Sequence, residues 1–115
     1  MEALGYGKKS QCRDIDEWKT YKKVRLYYPY DVPELDRYDA ENYAFLNLRD
    51  WNYQALPSVY SNSNLNCATL VWKAYRYGAN KEFLYNSSES VIPQNMVQWW
   101  CMTQKVNVDW PGIGW

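Results

Sequence analysis

The chain has 115 residues, enough for one hydrophobic core and short of the length at which chains divide into several, so residues 1–115 are expected to form a single domain. Thirteen basic and thirteen acidic residues cancel, and the bases cluster only in short pairs such as Lys8-Lys9 and Lys22-Lys23, which excludes the stripe of charge that tracks a phosphate backbone. The three cysteines, Cys12, Cys67 and Cys101, have no Cys-x-x-Cys spacing, so neither a disulfide framework nor a zinc site is expected, and no apolar run approaches the length of a membrane span.

In chain order, the first segment, through Gln11, is rich in Gly and Lys and reads as the end of a strand at Glu2-Ala3-Leu4 entering a turn. It lacks the basic region and apolar run of an export signal, so the compartment stays open. Asp14 to Lys19 runs from acidic to basic, the order a short helical turn favours. The acidic residues there lack the further oxygen ligands and the central Gly of a calcium loop, so they read as a solvated helix start. Val24 to Tyr28 is β-branched and aromatic with Pro29 at its end, which predicts a strand. Asp31-Val32-Pro33-Glu34 predicts a helix start, with Asp31 as cap and Pro33 in the first turn, and the helix is expected to run to about Leu48. Leu35, Tyr38, Tyr43 and Leu46 supply part of its apolar face.

Arg49 to Asn64 reads as a loop, from Pro57 and the Ser61-Asn62-Ser63-Asn64 cluster. The clearest element follows, from Asn66 to Tyr77: Cys67, Leu70, Val71, Ala74 and Tyr75 fall at i, i+3, i+4, i+7 and i+8, Asn66 suits the N-cap and Gly78 reads as the stop. Lys81 to Ser90 reads as loop, Gln94 to Trp100 as a helix opened by Pro93, and Lys105 to Val108 as a closing strand. Trp99-Trp100-Cys101-Met102 is read as core or helix-end packing in preference to a ligand platform, and Cys12 as an incidental exposed thiol.

Two readings of Cys67 stand side by side. Directly after an N-cap, its sulfur lies near unpaired amides at the positive end of a helix, a position that suits a nucleophile. It also lies on the apolar stripe, and free cysteine is among the most buried residue types, so on spacing alone a plain core cysteine is the preferred reading.

The string Asn66-Cys67-Ala68-Thr69-Leu70-Val71-Trp72-Lys73-Ala74-Tyr75-Arg76-Tyr77-Gly78 resembles the nucleophile helix of the circularly permuted NlpC-type papain-like cysteine hydrolases, the YiiX/YebB-like group. Flanking features resemble that group in the same order: Glu2-Ala3, Trp18 ahead of Val24-Arg25-Leu26, the helix over Ala40 to Ala44, Asn52-Tyr53, and Val91-Ile92-Pro93. The resemblance implies an α+β fold, a small antiparallel sheet packed on the nucleophile helix. It implies Cys67 as nucleophile and Glu2 as the polar residue that orients an imidazole. The implied chemistry is acyl transfer on a peptide or lipid-like amide or ester, through a thioester. The imidazole has no match, because the chain contains no histidine. Its strand would precede Met1, which makes truncation the expected account, with decay of the site as the alternative and little or no activity for this chain alone. An incomplete sheet then leaves an open edge, for a complementing N-terminal segment or for self-association.

An aromatic share of 18%, mostly Tyr and Trp, makes an aromatic-lined cleft plausible, with Tyr53 and Tyr60 as candidate substrate-binding residues beside a surface or core role for each. The rival function is a non-catalytic module that holds a peptide or glycan in that cleft. A small interaction domain with an accidental motif is the third reading.

Overall fold

The computed structural model describes residues 1–3, 5–14, 16–17, 26–29, 32–82 and 102–105. Their elements are β1 (Leu26–Pro29), α1 (Glu34–Asn47), β2 (Asn52–Tyr53), β3 (Asn64–Leu65), α2 (Cys67–Lys73), a π-helical turn over Ala74–Gly78 that continues α2, and β4 (Met102–Lys105). This is a mixed α+β arrangement. β1 and β4 pair antiparallel with Leu26 opposite Lys105 and Pro29 opposite Met102, while β2 and β3 pair in parallel with Asn52 opposite Asn64. The helix expected over Gln94 to Trp100, and with it Cys101, lies outside the described residues. Of the closing strand expected over Lys105 to Val108, Lys105 ends β4, where it pairs with Leu26, and residues 106–108 lie outside the described residues.

The N-terminal segment folds back on itself. Glu2 and Gln11 exchange two backbone hydrogen bonds, of 2.9 and 3.0 Å, around a turn in which Gly5 and Gly7 take φ of +117° and +76°. Only glycine adopts such angles without strain, so the Gly-rich composition has a conformational cause. Between Asp14 and Glu17 the expected helical turn is a single tight one: Glu17 N–H donates to the Asp14 carbonyl, and the Asp14 side chain accepts from Asp16 N–H at 2.9 Å.

α1 starts at Glu34 with Pro33 in the cap position, where no side-chain cap bond forms; the Pro33 carbonyl accepts from Asp36 and Arg37 N–H instead. The expected cap, Asp31, lies outside the described residues. The span of α1 agrees with expectation and its buried face does not. Leu35, Tyr38 and Leu46 are exposed, whereas Ala40, Ala44 and Leu48 are buried and Tyr43 is half-buried. The reason is a close approach between α1 and the π-helical turn. A Cβ on Gly78 would stand 2.7 Å from Tyr43 Cβ, 2.8 Å from the Asp39 carbonyl oxygen and 3.0 Å from Ala40 Cα. Helices that close bury small side chains and turn large ones outward.

The C-terminal carbonyls of α1 have no basic side chain in the last turn to meet them, and other groups do so. Trp51 Nε1 donates to the Asn47 carbonyl at 2.8 Å, and the buried hydroxyl of Ser10 donates to that of Leu48. The same hydroxyl accepts from Trp51 N–H at 3.0 Å, and the Ser10 backbone bonds to Trp51 O and Asp50 N. Ser10 therefore clamps the hairpin to the end of α1. The core is the cluster Ala40, Ala44, Leu48, Leu65, Leu70 and Ala74, flanked by Met1, Ala3 and Tyr75. Among the described residues, no helix is long and apolar enough to cross a membrane.

Candidate functional site: an exposed thiol beside a two-helix cavity

The start of α2 is held by a reciprocal cap. Asn66 Oδ1 accepts from Thr69 N–H at 2.7 Å, and Thr69 Oγ1 accepts from Asn66 N–H at 2.8 Å. Both residues are buried, so the pair satisfies two amides that water does not reach. Asn66 also donates through Nδ2 to the Ala55 carbonyl at 3.0 Å, which ties the preceding loop to the helix. Cys67, the first residue of α2, is exposed. The core-cysteine reading thus fails: the helix buries Ala68, Thr69, Leu70, Trp72 and Lys73 and leaves the thiol accessible.

A cavity of about 400 Å³ lies between α1 and the α2–π segment. The helical segment contributes Leu70, Val71, Ala74 and Tyr75 to its wall; α1 contributes Arg37, Ala40, Glu41, Asn42, Ala44 and Phe45; Met1 and Cys12 close the side nearest the hairpin. Four of the five residues of the stripe that begins at Cys67 therefore line the cavity. Cys67 stands on the same helix face, one turn toward the N-terminus from Leu70 and Val71.

The other expected site residues are placed differently. Met1 and Ala3 both pack against the core, so Glu2, between them in a paired stretch of chain, faces the other way. Its carboxylate accepts from Arg13 Nη1 at 2.8 Å, and Arg13 also pairs with Glu17. Tyr53 is half-buried, with its ring edge-on to Tyr6 at 5.0 Å between centroids, and Tyr60 is 71% exposed on the loop. Neither lines the cavity, whose aromatic residues are Phe45 and Tyr75.

No family model matches the chain, and no curated protein or solved structure is significantly similar to it.

One buried charge escaped sequence reasoning. Lys73 is 4% exposed, and its ammonium donates to the Val59 carbonyl at 2.6 Å with the rings of Trp51 and Tyr77 each 5.5 Å away. Burial lowers its pKa below the ordinary lysine value. The sole signal was a Lys within an otherwise apolar run, Leu70-Val71-Trp72-Lys73-Ala74-Tyr75. Lys73 lies seven residues after Asn66 and hence on the same helix face, so the two residues pin the 55–59 loop along α2 at both ends. Among the described residues, no group of three or more His, Cys, Asp or Glu is placed to hold a metal ion.

Proposed function

We propose that this chain carries the nucleophile half of a permuted papain-like cysteine hydrolase, with Cys67 as the attacking residue. The supporting observation is an exposed thiol on the first residue of a capped helix, one turn from a cavity on the same face. In the proposed reaction the Cys67 thiolate attacks the carbonyl carbon of an amide or ester. The bond to the leaving nitrogen or oxygen breaks, the amine or alcohol departs with a proton, and water releases the acyl group from the thioester. In the first turn, Asn66 occupies the amides of Thr69 and Leu70, which leaves those of Cys67 and Ala68 as candidate donors to a developing oxyanion.

With no histidine in the chain, the proton has no efficient carrier, and general acid-base help is typically worth about 10²–10⁴ in rate. The chain alone is therefore slow or inactive, and the proposed partner is a complementing segment that supplies an imidazole. Arg13 already holds Glu2 through Oε2, so orienting that imidazole falls to the other carboxylate oxygen, Oε1.

The test is residue-resolved labelling of the folded chain with a thiol-reactive acyl probe. Acylation of Cys67 well ahead of Cys12 and Cys101 is the expected result. Equal rates at all three, or none at Cys67, defeat the nucleophile assignment. The second reading, a binding module without catalysis, draws on the missing histidine together with a cavity that needs no chemistry to be occupied.

A further inference from the structure

The shape and rim of the two-helix cavity carry information that Cys67 does not. Ala40, Ala44, Leu70 and Ala74 supply its apolar floor, and at about 400 Å³ it falls in the size range of pockets that enclose small organic groups. Two charges stand at its edge, Arg37 and Glu41, one turn apart on α1. Arg37 uses Nη1 to donate to the Val32 carbonyl at 3.0 Å, and among the described residues its other donors have no partner. Glu41 forms no ion pair among the described residues, although Arg37 is four positions before it. The rim thus offers a cluster of donors and an acceptor, side by side, above an apolar floor.

That combination selects among occupants. A fatty acid or another simple anion meets Arg37 favourably and Glu41 unfavourably; a simple cation meets the reverse. A peptide backbone suits both, because each unit presents a carbonyl that accepts and an N–H that donates. We propose that the cavity receives the apolar side chain of an extended peptide whose main chain is held between Arg37 and Glu41.

The register to Cys67 follows from helix and strand dimensions. Leu70 and Val71 lie three and four residues beyond Cys67, a rise of about 4.5–6 Å along the helix axis. An extended peptide covers about 3.3 Å per residue. The carbonyl presented to Cys67 therefore belongs one or two residues from the apolar one. This register rests on Cys67 being the nucleophile; occupation of the cavity does not.

The test uses the full chain and acetylated glycine tripeptide amides with leucine, phenylalanine, glycine or aspartate at the centre, titrated by NMR. Leucine and phenylalanine peptides are expected to bind about tenfold tighter than the glycine and aspartate ones, the discrimination that one buried apolar group supplies. Val71→Trp, which fills the wall from a half-buried position, is expected to erase that preference, and Glu41→Gln, at an exposed residue, to weaken all four peptides several-fold. Bound leucine peptide is also expected to slow alkylation of Cys12, which lines the cavity. Equal affinity for the leucine and glycine peptides, an unchanged preference in Val71→Trp, or tighter binding of octanoate than of any peptide overturns the proposal. Cys67→Ser is expected to keep the preference. If it does while wild-type labelling shows no selectivity for Cys67, the nucleophile assignment alone fails.

Discussion

Replacing Gly78 by alanine sets two physical effects against each other. Gly78 closes the π-helical turn without a left-handed backbone angle, so propensity alone favours alanine, by up to about 1 kcal/mol. Packing opposes it. The added methyl would sit 2.7 Å from Tyr43 Cβ, about 0.7 Å inside ordinary contact at 3.4 Å, and 2.8 and 3.0 Å from the backbone of Asp39 and Ala40. None of those atoms is the end of a flexible side chain, so α1 must move as a unit, and its movement loosens Ala40 and Ala44 against Leu70 and Ala74. Overpacking of this kind costs about 1–3 kcal/mol, and contacts this short against backbone fall in the upper part of that range, about 2–3 kcal/mol, which leaves a net loss of about 1–2 kcal/mol after the propensity gain. For a chain of this size that lowers Tm by roughly 4–8 °C. Thermal unfolding by circular dichroism measures it, and amide exchange is expected to quicken in α1 and in 74–79 together. An unchanged or raised Tm refutes the close approach, because propensity would then be the only effect at work.

Three further perturbations probe the remaining supports. Ser10→Ala strips the Leu48 carbonyl and Trp51 N–H of their shared partner at a buried position and is expected to cost about 1–3 kcal/mol in urea unfolding; a change below about 0.5 kcal/mol would show that water replaces the hydroxyl. Asn66→Ala removes one half of the reciprocal cap and is expected to cost about 1 kcal/mol or more, with no change in the rate of Cys12 alkylation. Lys73 is tested by pH. Its folded pKa is lowered, so between that value and 10.5 the unfolded chain binds more protons than the folded one, and its contribution to stability rises with pH. Tyr43 acts oppositely, since burial, with Tyr77 beside it, raises its folded pKa and favours the unfolded state as pH climbs past 10.0. The stability difference between wild type and Lys73→Met isolates the lysine, and it is expected to shift toward wild type as pH rises; a difference flat with pH refutes the buried charge.

The parts of this fold legible in the sequence were those whose cause is local. Asn66 as cap and the face shared by Leu70, Val71, Ala74 and Tyr75 follow from residues within one helix, whereas Cys67 leaves the apolar stripe for solvent and Gly78, expected as the stop, lies inside the π-helical turn that Ala79 caps. The reason for Gly78 lies in α1, more than thirty positions earlier, where no local pattern shows it. For the same reason the face of α1 was misassigned: Leu35, Tyr38 and Leu46 carry the hydrophobicity, while the alanines carry the contact. The parallel pair β2–β3 has two residues in each strand, too few for any period to register. In the candidate site, spacing alone favours a core residue at Cys67, and its exposure overturns that reading. Tyr53 and Tyr60 are near Cys67 in sequence, whereas the cavity wall opposite α2 is built by α1.

The hydroxyl of Ser10 bonds a residue 38 positions downstream and another 41 downstream. During synthesis the turn around Ser10 thus leaves the ribosome well before its partners at Leu48 and Trp51 exist. At about 5–20 residues per second this glycine-jointed arm waits seconds for that grip. Closure of the molecule on that side belongs to the end of α1, which must be wound before the arm can be fastened down.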